Sequence, residues 1–152
     1  MATPLLETKL YVPRRRRDLV PRPRLRERLD RGVESKLTLV SAPAGFGKTT
    51  LLAEWLAAAS ADERPAAWLS LERSDNHPPS FWTYVIAALQ TVAPGVGASA
   101  ISLLQSAQPP AIESVLASVL NELNAISEDV VLVLDSTSAK PGGAAQASRR
   151  GD

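Results

Sequence analysis

The sequence predicts an α/β fold with a mostly parallel sheet, on three observations. A short apolar run, "KLTLVS", leads straight into a glycine-bearing loop that opens a helix. Two further runs, "AAWLSL" and "VVLVLD", read as strands, and the second has the unbroken β-branched character of a strand covered on both faces. Helical periodicity fills the stretches between them. Strands alternating with helices imply a three-layer αβα arrangement. About three strands can be counted.

Taken in order, residues 1–23 contain Pro4, Pro13, Pro21 and Pro23. Each proline removes a donor and restrains its predecessor, so this stretch is an extended arm. Arg24–Arg31 can form a short helix with Leu25 and Leu29 on one face, and Gly32 as its stop. Lys36–Ser41 is the first expected strand. Beyond Lys48, the residues Leu51, Leu52, Trp55, Leu56 and Ala59 recur at helical spacing to about Ser60. Ala66–Leu71 is the second strand and "ERSDNHPP" the turn beyond it. Pro78 and Pro79 start a helix with Phe81, Trp82, Val85, Ile86 and Leu89 as its apolar stripe. Pro94–Gly97 is a break, Ala98–Ser106 a weak helix, and Ala111–Ile126 a strongly amphipathic one. Val130–Asp135 is the third strand. Residues 136–152 carry no large apolar side chain and read as a disordered low-complexity tail. The expected organisation is therefore an arm with a short helix over 1–31, a partial α/β domain over 32–135, and the tail.

Composition narrows the function. Of 152 residues, 17 are Lys or Arg and 16 Asp or Glu, so the net charge of +1 favours no partner by itself. The distribution is uneven, because residues 1–31 hold ten basic residues against four acids. There is no cysteine, which excludes disulfides and thiolate chemistry. The chain has no apolar run of signal-peptide or membrane-spanning length, so a cytoplasmic protein is expected.

The loop Ala42, Pro43, Ala44, Gly45, Phe46, Gly47, Lys48, Thr49, Thr50 carries the clearest chemistry. A phosphate cradle needs inward backbone N–H groups, small residues tolerant of unusual dihedrals, and a helix N-terminus facing the anion. Lys48 is placed for the β- and γ-phosphates, Thr49 for Mg²⁺, and Thr50 for the α-phosphate. Ala42 stands where the usual pattern has its first glycine. Asp135, at the carboxyl end of an apolar strand, fits a Walker B carboxylate that holds Mg²⁺. Together these residues point to a P-loop NTPase with ATP or ADP and Mg²⁺ as ligands. The run Arg14–Arg17 could contact nucleic-acid phosphates, but it lacks interleaved aromatics and a helix-turn-helix pattern, so a solvated arm is the expectation. His77 has no second ligand nearby in sequence. Trp55, Trp68 and Trp82 lie on apolar faces and are core residues.

Four stretches, "LLETKLYVPRRRRDLVPRPRLRERL", "LTLVSAPAGFGKTTLLAEWL", "AWLSLERSDNHPPSFWTYVIAALQ" and "VVLVLD", together resemble the amino-terminal nucleotide-binding module of the large ATP-dependent LuxR-type transcriptional regulators. These form the maltose-regulator class of the STAND signal-transduction ATPases. The resemblance runs from about Leu5 to Asp135. It implies an ATP switch, closed with ADP and oligomerising with ATP. It also implies that alanine at position 42 is ordinary, that Val20–Arg22 lies near the adenine, and that "SDNHPPSFW" with Asp75 and Asn76 is a family signature. Such regulators carry a sensor and a carboxy-terminal helix-turn-helix, both absent from these 152 residues. The chain also departs from the pattern after Asp135, where Ser136 and Thr137 replace the expected second acid. The resemblance also implies a sheet of about five strands, so the three counted make it incomplete, with an exposed edge open to self-association. Nucleotide binding with negligible hydrolysis is the resulting expectation. A small P-loop phosphotransferase and an inactive fragment with a nucleic-acid-binding arm are the competing readings.

Overall fold

In the computed structural model the described residues are 5–14, 18, 20–43, 45–59 and 64–136. Among these residues five helices surround a two-stranded parallel sheet, in the order α1 (Pro23–Gly32), α2 (Lys48–Ala59), β1 (Ala66–Leu71), α3 (Pro78–Gln90), α4 (Ala98–Leu104), α5 (Ile112–Asn124) and β2 (Val131–Ser136). Short 3-10 turns at Glu7–Leu10 and Arg73–Asn76 flank α1 and β1 respectively. β1 and β2 pair from Ala66 opposite Val131 to Leu71 opposite Ser136. Ser136, expected to open the disordered tail of 136–152, instead ends β2 opposite Leu71, because β1 extends far enough to pair with it. Residues 137–152 and the arginines Arg15, Arg16 and Arg17 lie outside the described residues.

The alternation of side chains along β1 sorts the core into two clusters. Ala67 and Leu69 face one way, into a cluster with Tyr84, Ile86, Ala88 and Leu89 of α3, Leu104 of α4 and Val115 of α5. Trp68 faces the other way and meets Leu29 of α1, Leu51, Trp55 and Leu56 of α2, and Val133 of β2. The sheet is thus covered by helices on both faces. The Trp68 and Leu69 side chains, at 1% and 0% exposure, are the centre of each layer. Burying a large apolar side chain is worth about 1.5–3 kcal/mol, so these residues fix which face of β1 meets which helices. Proline at the start of α3 suits the first turn, whose N–H groups have no partner within the helix. Gly97, with φ of 72° and Ile86 packed against it, lets the chain turn into α4 where a β-carbon would collide.

The expected strand Lys36–Ser41 does not form, so the sheet has two strands among the described residues rather than three. A strand requires a hydrogen-bonding neighbour, and periodicity cannot show whether one is present. Here Leu37 and Leu39 stand 85% exposed. Val40 still packs against the cluster around Trp55, and the Thr38 hydroxyl donates to the Gly32 carbonyl at 2.8 Å. The segment lines a cavity of about 310 Å³ together with β2 and with Leu52 and Trp55 of α2. α1 also differs slightly from expectation, since Gly32 is its last residue and not a stop beyond it.

The arm is less solvated than its composition suggests. Leu5 and Leu10 pack against the α3 side of the core, and Lys9, read as one of ten basic arm residues, is buried at 6% exposure. Its ammonium donates to both carboxylate oxygens of Asp75 at 2.8 and 2.9 Å and lies 4.7 Å above the Tyr84 ring. Arg14, by contrast, is exposed.

Candidate functional site

The glycine loop adopts backbone conformations that explain its composition. Gly45 and Gly47 have φ of 89° and 77°, in a region where side chains cause strain. Ala42 is half-buried, Pro43 exposed, and Ala44 lies outside the described residues. The Pro43 carbonyl accepts from Phe46 N at 3.4 Å, and the Gly47 carbonyl accepts from Leu51 N at 2.9 Å, which starts α2. The first N–H groups of α2, at Lys48, Thr49 and Thr50, have no acceptor in the preceding turn of their own helix. They carry the positive end of its dipole.

Three side chains then close over the loop. Lys48 Nζ donates to the Ala42 carbonyl at 2.7 Å, folding its cation back across the turn. An Arg22 Nη donates to the Phe46 carbonyl at 2.8 Å, and a β-carbon on Gly47 would come within 3.4 Å of that guanidinium. Thr49 Oγ1 donates to Asp135 Oδ2 at 2.7 Å, joining residues 86 apart in the chain. Asp135 is only 5% exposed, and among the described residues Thr49 is its hydrogen-bond partner. Lys48 and Asp135 line the same cavity.

The elements fix this arrangement. β2 pairs in register with β1, so Asp135 sits opposite Ser70 at the carboxyl end of the sheet. α1 starts directly after Arg22 and is held to α2 by Trp55 Nε1 donating to Asp30 at 2.8 Å, which brings Arg22 over the loop. Of the sequence-predicted residues, Arg22, Phe46, Gly47, Lys48, Thr49 and Asp135 come together. Val20 does not join them and is 78% exposed. Phe46 offers its carbonyl, while its ring is 60% exposed. Among the described residues, no three His, Cys, Asp or Glu side chains form a group that could hold a metal ion.

Sequence reasoning left Asp75 without a chemical role. The structure gives it one, as a buried anchor. It receives Lys9, and its Oδ2 also accepts from Glu72 N at 2.7 Å in a reciprocal cap of the 3-10 turn. Glu72 approaches the same ammonium at 3.7 Å. Burial works against the charge on Lys9, but the Asp75 carboxylate, with Glu72 and Tyr84 adding to it, holds its pKa above the ordinary 10.5. The phenol of Tyr84 also accepts from Leu6 N at 3.1 Å. No sequence signal links positions 9 and 75 except the presence of both charges.

No helix among the described residues is long and apolar enough to cross a membrane. No family model matches the chain. Over 131 residues, 86% of its length, the chain is 36% identical to the HTH-type transcriptional regulator MalT of Yersinia enterocolitica and 38% identical to that of Serratia proteamaculans. MalT of Yersinia pestis is 36% identical over the same length. The chain spans 14% of the length of each of these relatives and is similar to that part of them.

Proposed function

We propose that this chain is a nucleotide-binding module of a MalT-like LuxR-type transcriptional regulator, a P-loop NTPase of the STAND class that binds ATP or ADP with Mg²⁺. The observation that carries the reading is the meeting of Thr49 and Asp135 beside the glycine loop. A hydroxyl and a carboxylate at 2.7 Å, next to a helix N-terminus and a lysine, are the hard oxygen donors that Mg²⁺ accepts together with phosphate oxygens. Mg²⁺ typically takes one or two protein oxygens and completes its shell with phosphate and water, which suits a site without a cage of protein carboxylates. Bound there, the ion neutralises charge between the phosphates.

The chain's own residues supply the remainder. The α2 N-terminus and the loop amides receive phosphate oxygens, with Gly45 and Gly47 allowing the backbone to approach. Lys48 exchanges the Ala42 carbonyl for a phosphate, and Arg22 is positioned to do the same in place of the Phe46 carbonyl. Ser136 follows Asp135, so β2 offers no second carboxylate adjoining Asp135 to orient an attacking water, and the reading is of binding with little hydrolysis. The similarity to MalT regulators over 86% of the chain supports a role as part of a switch that acts on transcription through other domains.

The test is thermal unfolding with and without Mg²⁺-ATP and Mg²⁺-ADP, beside Lys48→Ala. A ligand at about 100 times its dissociation constant raises stability by roughly 2.7 kcal/mol. A shift in the wild type that the variant lacks is the expected result. A cooperative transition that neither nucleotide moves defeats the proposal.

A further inference from the structure

We propose that the outer face of α1 is a docking surface for the phosphate backbone of double-stranded DNA. Arg24, Arg26, Arg28 and Arg31 all belong to this ten-residue helix, and all four are exposed. Three of them share one side of it. At 3.6 residues per turn, Arg24, Arg28 and Arg31 fall within about 60° of one another, in a stripe about 10 Å long. Leu29 packs with Leu51 and Trp55 of α2, and Asp30 accepts from Trp55 Nε1 at 2.8 Å; both lie off that stripe. The contact with α2 thus fixes which side of α1 faces outward. Among the described residues every ion pair belongs to Lys9, so no arginine of α1 has its charge met by a carboxylate. Glu27, beside the stripe, takes Arg31 Nε on its backbone carbonyl at 3.4 Å and not on its side chain.

The form of this charge selects the partner. Guanidinium forks match phosphate oxygens. Duplex DNA presents a phosphate about every 3.4 Å along each strand, so a stripe of about 10 Å spans roughly three. A bilayer surface would need an apolar helix face to enter it. That of α1 is turned to the core, with Leu29 at 7% exposure and only Leu25 left partly exposed. A single strand is held by stacking on aromatic rings, and α1 has none. The choice of DNA over RNA rests on the reading above, of part of a regulator that acts on transcription.

The probe is an end-labelled DNA duplex of about 20 base pairs, titrated with the whole chain and followed by fluorescence anisotropy. One variant, Arg24→Gln with Arg28→Gln and Arg31→Gln, removes the stripe. A second, Arg26→Gln with Arg64→Gln and Arg73→Gln, removes the same charge from exposed positions elsewhere. Wild-type affinity should fall by about fortyfold or more between about 50 and 200 mM salt, since each phosphate contact adds about 0.9 to the log–log slope. The stripe variant should bind about tenfold or more weakly at the lower salt, with a slope smaller by about 2.7, while the second variant stays within about threefold of the wild type. If the stripe variant shows no cooperative melting, Arg28→Gln alone decides, with an expected slope change of about 0.9. No binding at the lower salt, or equal weakening by the two triple variants, would overturn the proposal. Stripe-dependent binding of an RNA duplex, polyglutamate or phosphatidylserine vesicles in preference to the DNA would overturn it in favour of that partner. Melting with Mg²⁺-ATP on the same proteins keeps the two readings apart, because the stripe variant should retain the wild-type nucleotide shift. A wild type that nucleotide does not stabilise defeats the proposed function, and the salt slope still judges the stripe.

Discussion

Asp75 and Asp135 are equally buried, at 5% exposure each, yet their surroundings differ completely. Asp75 takes both ammonium hydrogen bonds from Lys9 and a backbone N–H from Glu72, so its charge is met in full. Asp135 meets a single hydroxyl, that of Thr49, among the described residues. A carboxylate neutralised by its own protein holds the fold together. One given only a hydroxyl beside a glycine loop is the carboxylate on which the proposed Mg²⁺ site rests.

Asp75→Ala strikes the comparison hardest. It leaves the Lys9 ammonium buried without its partner, and breaking such a pair costs about 3–5 kcal/mol, which urea unfolding would register. A loss below about 1 kcal/mol would mean that the arm is not held by this pair. Asp135→Asn sharpens the other side. Without nucleotide it should alter stability by only about 1 kcal/mol. In the presence of Mg²⁺-ATP it should lose most of the roughly 2.7 kcal/mol of ligand stabilisation at 100-fold excess. Equal stabilisation of wild type and variant in melting curves would strip Asp135 of its proposed part. Thr49→Val comes next, with a loss of about 0.5–1.5 kcal/mol for the missing hydrogen bond.

The smallest effect is in pH. Because the Lys9 pKa lies above 10.5, its contribution is fully present below that value and fades as the pH climbs through the raised one. Denaturation series at alkaline pH should show wild-type stability falling in that window, with Lys9→Met giving a flatter limb. Parallel limbs would count against the ion pair.

The same contrast explains what could be read from the sequence. β1 occupies Ala66–Leu71 as the pattern indicates, and β2 is displaced by one residue, because buried apolar runs between turn signals are local features. The glycine loop and the start of α2 are equally local, and their chemistry depends on residue order. Lys36–Ser41 has a strand's composition, but pairing is a property of the whole sheet and not of six residues. In the sequence Lys9 is one more arm cation, since its carboxylate is 66 positions away and nothing short-range distinguishes it from Arg14. Only the resemblance points to Arg22, and it points to the adenine. The contact of Arg22 with the Phe46 carbonyl depends on how α1 packs on α2, which no linear pattern encodes.

The pairing of Ala66 with Val131 has a temporal consequence. β1 has no strand partner within its own neighbourhood, and on a ribosome adding about 5–20 residues per second it must wait several seconds for β2. During that interval α3, α4 and α5 can gather around Ala67 and Leu69, but Asp135 does not yet exist to meet Thr49. The glycine loop is therefore made well before its neighbouring carboxylate, so a nascent chain halted before β2 would hold every residue of the loop and lack the carboxylate beside it.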